Sequence, residues 1–214
     1  MSWLPLYNSW VFLVALLSFF FWKLVGIFFL FGLAALSVDL LIREVASYKV
    51  HYEFGFWLFI FSEVAIFGTL FVMCLWSMDG VMEPISSAVE LPLLGSFLLI
   101  GSSVTATTYH HCRGLEISWV FLGVTVLLGL SFVLLQVFEF YDCECDVLSD
   151  VYYAGAFCTV GLHFSHVFVG VVGLSTLMLL GANAVKQCYV NVVVWYWHFV
   201  DYVWLFVFLL LYLL

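Results

Sequence analysis

The sequence contains very little charge. Only 9% of its 214 residues are Asp, Glu, Lys or Arg, whereas soluble domains carry roughly 25%. This scarcity excludes a soluble globular protein. Five basic residues against fourteen acidic ones give a net charge of -9. So few cations cannot form a basic patch, which excludes nucleic acid as a partner.

Cysteine patterns and targeting signals are also missing. The six cysteines are scattered through apolar stretches, and only Cys143 and Cys145 lie close together. No disulfide framework or zinc-binding spacing emerges from them. Residues 1–10 lack the positive n-region of a signal peptide and the Arg-rich pattern of a transit peptide. We therefore expect the chain to be inserted where it is made, as in a bacterium or inside an organelle.

Apolar residues dominate the sequence instead. They make up 66% of it, and a chain of this length cannot bury that much apolar surface in a core of its own. At roughly 20 apolar residues per membrane crossing, the length accommodates about seven transmembrane helices. The sequence therefore predicts an all-α, polytopic membrane helical bundle, in which residues 1–214 form a single membrane-embedded domain.

Charged and turn-forming residues delimit the apolar runs. They predict clear spans at 54–76, 92–109, 115–138, 151–180 and 192–214. Pro92 suits a first helical turn, Asp150 suits a helix N-cap, and Gly114 suits a turn after a helix. Residues 10–42 are too long for one tilted crossing, so we expect a hairpin near residues 22–23.

Charge bias predicts the orientation in the membrane. Cations occur at every second helix junction, at Arg43, Lys49, Arg113 and Lys186. The intervening junctions carry Asp79, Glu83, Glu90 and the acidic residues between 139 and 150, which we expect to face water. The positive-inside rule places the cations on one side, in the matrix or cytoplasm, and the acidic loops on the other.

Glu63 is an acidic residue inside an apolar span. It lies about nine residues into its helix, which at 1.5 Å per residue is roughly 13 Å deep and near the bilayer centre. A carboxylate there is costly, so we expect Glu63 to be protonated or hydrogen-bonded to a partner. It is either a proton-linked carboxyl, a hub against a neighbouring subunit, or a neutral acid that ties two helices together.

Histidines occur in two of the later spans. His163 and His166 are three residues apart, hence on one face of their helix. As haem ligands they would need axial partners from facing helices, which His198 or His110 could supply. Close helix packing with hydrogen bonds between helices is the favoured interpretation of these residues.

Two further polar pairs are predicted to be structural. His198 and Asp201 share a helix face and can hydrogen-bond each other, but no further ligands complete a metal site there. We expect them to be satisfied within the bundle. His110 and His111 stand beside Arg113 at the cationic boundary, where an interfacial or lipid-facing position is favoured over a ligand role.

The polar motifs occur in the order of a known family. They include SEV at 62–64, LPLL at 91–94, HH at 110–111, GLH at 161–163 and WYWHFVD at 195–201. In this order they resemble the cytochrome c oxidase subunit III family, and the last of them matches that family's C-terminal signature almost letter for letter. The resemblance extends from about residue 39 to residue 206.

The resemblance implies an architecture and a role. It implies a helix pair (residues 1–50) splayed from a five-helix bundle (51–214), with phospholipid held in the cleft between them. The subunit would have no catalytic residue and bind no haem, copper or other metal, since the haem and copper belong to partner subunits. It would flank catalytic subunit I, together with other oxidase subunits and membrane lipids, and support proton uptake and stability. The complex would pass electrons from cytochrome c to oxygen and pump protons.

Residue roles and a location follow from the same resemblance. Glu63 occupies the position of the family's buried glutamate. The other structural polar or lipid-adjacent positions are Arg43, His110, His111, His163, His166, His198 and Asp201. We expect a multi-pass protein of the mitochondrial inner membrane, with the bacterial plasma membrane as the alternative.

Two other functions are weighed against this one. A b-type cytochrome membrane subunit would use His163, His166 and His198 as axial haem ligands, and it would hold stoichiometric haem when isolated. A proton-coupled transporter would use Glu63 as its coupling acid. The lack of inverted repeats and of Gly or Pro breaks counts against the transporter.

The predicted orientation can be tested by cysteine labelling. Because Cys112 and Cys188 lie near cationic junctions and Cys143 and Cys145 lie in an acidic loop, a membrane-impermeant thiol reagent should reach the two pairs from opposite sides. If all four react from the same side, the number of helices between them is wrong.

Overall fold

The computed structural model describes residues 4–21, 32–33, 35–37, 39–40, 53–78, 85–143, 145–181 and 185–214. The chain divides into two compact units, Met1–Tyr52 and Glu53–Leu214. All regular structure in the described residues is helical, which confirms the all-α fold class. Arg43, Lys49, Asp79, Glu83 and Glu144 lie outside the described residues.

Helix α1 belongs to the first unit, and helices α2–α6 form the second. Their bounds are α1 Leu4–Phe20, α2 Glu53–Trp76, α3 Leu91–His111, α4 Ser118–Asp142, α5 Val151–Leu180 and α6 Gln187–Phe208. A π-helical turn, Leu209–Leu213, continues α6. Helices α2–α5, and α6 with its π turn, are each long and apolar enough to cross a bilayer. The chain is therefore a multi-pass membrane protein.

Hydrogen bonds connect distant residues of the first unit. The Tyr7 hydroxyl donates to the carbonyl of Leu33 at 3.0 Å, and the Ser37 hydroxyl donates to Asn8 Oδ1. Residues near the start of α1 therefore contact residues 33 and 37 of the same unit. The hairpin expected near residues 22–23 lies outside the described residues and stays a prediction. The splayed arrangement of the two units stays a prediction.

The local helix signals are confirmed. The Asp150 carboxylate caps α5 by accepting from the Val151 backbone N–H at 2.5 Å. Pro92 lies in the first turn of α3. Gly114 has a φ of 103° after α3, in the left-handed region that favours glycine.

Some predicted boundaries differ from the observed ones. The span predicted at 115–138 begins instead at Ser118, because residues 112–118 form tight turns closed by the bonds Leu115 N–H to Cys112 O and Ser118 N–H to Leu115 O. That helix also continues to Asp142. The last helix begins at Gln187 rather than at residue 192, since the Lys186 carbonyl already accepts the first helical hydrogen bonds.

Trp197 lies in the core of the second unit, where four helices meet. Its side chain is 1% exposed and rests against two glycines. A Cβ placed at Gly170 of α5 would approach the Trp197 ring to 2.7 Å, and one at Gly129 of α4 would approach it to 2.8 Å. Glycine at these two positions therefore allows α4 and α5 to pack closely against the Trp197 indole of α6.

This packing predicts a position-specific effect of adding one methyl group. Gly170→Ala should lower the free energy of unfolding by about 1–3 kcal/mol, because the Trp197 ring must shift within a tight core. Gly161→Ala on the same helix adds its Cβ where no other side chain or helix lies within 4 Å, so its effect should be smaller than about 1 kcal/mol. Thermal unfolding in detergent micelles measures both. Equal melting temperatures for the two variants would contradict the packing argument.

Candidate functional site

Glu63 and His166 form an acid–imidazole pair inside the bundle. Glu63 lies near the middle of α2 and His166 lies on α5, and Glu63 Oε2 is 2.9 Å from His166 Nε2. The two side chains are only 13% and 12% exposed. The expected partner of the intramembrane carboxyl is therefore a histidine on the neighbouring helix.

The hydrogen bonds show how protons are distributed in this pair. His166 Nδ1 is 2.8 Å from the Leu162 carbonyl, and a carbonyl only accepts, so Nδ1 carries a proton. One further proton lies between Nε2 and the carboxyl. The pair is thus either a carboxylic acid donating to a neutral imidazole or an imidazolium donating to a carboxylate.

Aromatic side chains enclose His166. The Phe67 ring meets the imidazole edge-on with centroids 5.4 Å apart, and the Tyr196 ring of α6 stacks on it at 6.3 Å. The Tyr196 hydroxyl donates to the His166 carbonyl at 3.4 Å. The polar pair therefore joins α2 and α5 in an apolar surrounding, to which α6 contributes a ring.

His163 has a different environment from His166, although both lie on α5. It is fully buried, and its Nε2 donates to the Val200 carbonyl of α6 at 3.2 Å. Its ring packs between Phe132 and Trp204. Its Nδ1 has no hydrogen-bond partner among the described residues.

The expected bond between His198 and Asp201 is not formed. His198 Nδ1 is instead 2.5 Å from the Ser103 hydroxyl of α3, and His198 Nε2 is 3.3 Å from the Thr107 hydroxyl. The facing helix thus offers hydroxyl partners that the spacing within α6 could not reveal. Asp201 is 5% exposed, and its Oδ1 has no hydrogen-bond partner among the described residues.

His110 and His111 occupy different environments. His110 Nε2 is 2.9 Å from Asn191 Oδ1 of α6, so His110 faces the neighbouring helix rather than lipid, and its interfacial position stays a prediction. His111 is exposed. Arg113 donates to the side chain of Gln187 and to the Val185 carbonyl, which secures the loop after α3 to the start of α6.

Glu139 is a buried carboxylate that the sequence analysis missed. It is 1% exposed, so the expectation that all acidic residues from 139 to 150 face water is wrong here. Gln136 Nε2 donates to it at 2.6 Å, Tyr212 at 2.7 Å and Ser86 at 3.0 Å. The three donors satisfy the two oxygens of this buried carboxyl group. The spacing of Gln136 and Glu139 on one helix face was the available signal.

Cys143 lies just beyond α4, outside the membrane-spanning segments. Its thiol donates to the Ile85 carbonyl at 3.5 Å, and burial raises its pKa. Less of this thiol is therefore ionised at neutral pH than of an ordinary exposed cysteine.

Among the described residues, neither unit contains a candidate metal site. No three His, Cys, Asp or Glu side chains converge there to form a metal site.

The Glu139 cluster predicts a stability effect at the end of α6. Tyr212→Phe removes one donor from a buried carboxylate, and we expect a loss of about 1.5–3 kcal/mol in unfolding free energy. Tyr202→Phe, on the same helix but 63% exposed, is the matched control and should change stability by less than about 0.5 kcal/mol. Thermal unfolding measures both, and a Tyr212→Phe protein as stable as the control would show that the bond is unimportant.

The fold and the internal pairing of polar groups define a polytopic helical membrane protein. Comparison with known proteins identifies its family. A family model described as cytochrome c oxidase subunit III matches residues 44–214. The chain therefore belongs to the cytochrome c oxidase subunit III family, as the sequence motifs indicated.

Relatives come from animals and from bacteria. The chain is similar to cytochrome c oxidase subunit 3 of Myxine glutinosa, with 33% identity over 175 residues covering 77% of this chain and 64% of that protein. The corresponding protein of Loxodonta africana is 34% identical over 180 residues, covering 75% and 68%. That of Bacillus subtilis (strain 168) is 30% identical over 175 residues, covering 75% and 84%. The match thus spans less than two thirds of the Myxine glutinosa protein.

Proposed function

We propose that this chain is a non-redox core subunit of cytochrome c oxidase, the membrane complex that passes electrons from cytochrome c to oxygen and pumps protons. The family match over residues 44–214 carries this proposal. In this role the chain supports proton uptake and the stability of the complex, and the redox chemistry belongs to its partners.

The absence of a redox centre in this chain is part of the proposal. The imidazole nitrogens of His166 and His198 bond to carboxyl, carbonyl and hydroxyl groups. His163 bonds to a carbonyl of the facing helix. An axial haem ligand needs one nitrogen free to face the iron, so the contacts of His166 and His198 favour the supporting role over a b-type cytochrome. His163 keeps an unpartnered Nδ1, but its fully buried ring packs against Phe132 and Trp204.

Partners and location complete the proposal. We assign catalytic subunit I and other oxidase subunits as protein partners, with phospholipid held beside the bundle. Large apolar side chains exposed on α2 and α4, such as Phe61, Val72, Leu127 and Leu134, provide a surface for lipid and for apolar neighbours. The mitochondrial inner membrane is the proposed location, and the bacterial plasma membrane is the alternative because a bacterial relative also matches.

Glu63 has a supporting role in this proposal. The Glu63–His166 bond joins α2 to α5 and holds one shared proton. Glu63→Gln keeps the shape and a hydrogen-bonding side chain but removes titration. Since the redox centres are assigned to other subunits, the substitution should leave assembly intact and alter turnover only modestly.

Purification of a tagged chain in mild detergent tests both statements. The chain should co-migrate with larger haem-bearing subunits in a preparation that oxidises cytochrome c. The Glu63→Gln preparation should retain the same subunits and most of the turnover. Glu53→Gln, at the exposed start of α2, is the matched control and should match the unmodified protein.

Two results would contradict the proposal. Migration of the chain alone, as an active carrier or with its own stoichiometric haem, would favour a transporter or a b-type cytochrome. Complete loss of oxygen reduction in a fully assembled Glu63→Gln complex would show that the chain takes part in catalysis directly.

A further inference from the structure

Cys143 and Cys145 lie in the acidic loop between α4 and α5. Both side chains are half-buried, and both are free thiols. The side chain of Cys143 points along the loop, and its Sγ is 3.7 Å from the Cys145 carbonyl oxygen. The Cys143 sulfur therefore already lies against the backbone of the second cysteine.

The spacing of these two cysteines allows a disulfide between them. Their Cα atoms are at most about 7 Å apart, because only two peptide units separate them. Disulfides bridge Cα separations of roughly 4.4–6.8 Å. Since both residues lie outside the helices that flank the loop, bond formation requires a local adjustment of the loop and no movement of a helix.

The other four cysteines are placed differently. Cys74 is buried on α2, where its Sγ is 4.0 Å from the Thr159 hydroxyl oxygen, and Cys158 lies within the membrane-spanning helix α5. Cys112 follows α3 and Cys188 lies in the first turn of α6, at cationic junctions that are predicted to face the opposite side of the membrane. The pair in the acidic loop is therefore set apart from them by its position.

Cys143 also holds the segment that precedes α3. Its thiol donates to the Ile85 carbonyl at 3.5 Å, and Ile85 is only 5% exposed. The next residue, Ser86, donates to the buried Glu139 at 3.0 Å. A sulfur in a disulfide has no S–H to donate. Oxidation of Cys143 would therefore remove one of the bonds that join residues 85–86 to the end of α4.

We propose that Cys143 and Cys145 are a redox-active dithiol, which small disulfide compounds oxidise to an internal disulfide, and that this oxidation releases the Ile85 carbonyl from Cys143. The positive-inside rule places the loop away from the matrix or cytoplasm, and it is in the cytosol that thiols are kept reduced. This activity goes beyond the proposed role in the oxidase and does not depend on it.

The reaction uses the two thiols and one external disulfide, R–S–S–R. The Cys145 thiolate attacks one sulfur of R–S–S–R and displaces R–S⁻, which takes up the proton that Cys145 has lost. Cys143 then gives up its proton, attacks the Cys145 sulfur of this mixed disulfide and displaces the second R–S⁻, which takes up that proton. The products are the Cys143–Cys145 disulfide and two R–SH, so the two electrons lost by the cysteines reduce R–S–S–R.

The contacts of Cys143 give the order of attack. Burial raises the pKa of the Cys143 thiol, and its S–H is engaged by the Ile85 carbonyl, so little of it is present as the attacking thiolate. It is suited to the second step, because a thiol two residues from the mixed disulfide has a high effective concentration there. Cys145 is thus the attacking cysteine and Cys143 the resolving one.

The charge of the loop selects among external disulfides. Residues 139–150 contain five acidic residues and no basic one. A cationic disulfide should therefore reach Cys145 faster than an anionic one, and the difference should shrink as salt is added. The substrate class that we assign is a small disulfide with positive charge.

Thiol trapping in the purified full-length protein tests the proposal. The protein is placed in lipid nanodiscs, where both faces meet the buffer, and is treated with cystamine, a cationic disulfide. After alkylation, mass spectrometry of the peptide that contains residues 143–145 should show both thiols lost together, with the mass of two hydrogen atoms missing and no cystamine half attached. Glutathione disulfide, which is anionic, should react at least about ten times more slowly at low ionic strength.

Two serine variants separate the roles of the cysteines. Cys143→Ser should stop at a mixed disulfide on Cys145. Cys145→Ser should react with cystamine at least about ten times more slowly than Cys143→Ser, because it retains only the less ionised thiol. Cys188→Ser leaves the pair intact, so this matched control should form the internal disulfide at the unmodified rate.

Hydrogen exchange at residues 86–90 measures the structural consequence. The backbone amides of this segment should exchange faster in the oxidised protein than in the reduced one, because the bond from Cys143 to the Ile85 carbonyl is lost. Cys145→Ser cannot form the internal disulfide, so its exchange should be the same before and after treatment.

Four results would overturn the proposal. They are an unmodified protein that keeps both thiols or stops at a cystamine adduct, equal reaction rates for Cys143→Ser and Cys145→Ser, equal rates for the two disulfide compounds at low ionic strength, and unchanged hydrogen exchange at residues 86–90 after oxidation. The first is measured on the unmodified chain, so it is decisive even if a variant does not fold.

Discussion

The cost of an unsatisfied polar group in lipid is the constraint on which this structure depends. No water is available in the bilayer core to replace a missing hydrogen bond, so each buried polar side chain needs a partner within the protein. Glu63 has His166, Glu139 has three donors, and the buried indole N–H groups of Trp197 and Trp204 reach serines. The helix contacts are accordingly organised around these pairs.

The same constraint fixes how α3 and α6 are aligned. Apolar contacts between two membrane helices allow sliding, because one aliphatic side chain packs about as well against lipid as against another helix. Hydrogen bonds from Trp197 and Trp204 to two serines on α3 allow only one register. A shift by one turn would leave two buried indole groups without acceptors. The polar pairs therefore provide specificity, and the apolar surface provides contact area.

The spans were predictable because membrane crossing depends on length and apolarity, which a sequence shows directly. Asp150, Pro92 and Gly114 gave correct local signals for the same reason: each acts on its own backbone or its neighbours. The side-chain partners were not predictable. Glu139 accepts a hydrogen bond from Tyr212, which is 73 positions away in the chain. From the sequence alone, an acidic residue near the end of a span is expected to be exposed to water.

In the candidate site, too, the sequence indicated which residues need a partner but not which distant residue supplies it. The depth of Glu63 in its span indicated that it needs a partner, but the choice of His166 depends on how α2 and α5 meet, 103 positions apart in the chain. The spacing within α6 predicted Asp201 as the hydrogen-bond partner of His198. In the structure that partner is Ser103, which is 95 positions away in the chain. Spacing along one helix finds candidate groups, and only helix packing determines which of them bond.

The bond from Tyr212 to Glu139 has a consequence for biosynthesis. A membrane chain is inserted from its N-terminus onward, so α4 enters the bilayer well before Tyr212 is made. During that interval Glu139 can accept hydrogen bonds only from Gln136 and Ser86. The carboxyl group that bonds to Ser86 therefore still lacks one of its three donors. Closure of the bundle at this end therefore waits until the π turn Leu209–Leu213 has been made. A chain cut before Tyr212 would keep helices α1–α6 and leave this corner open.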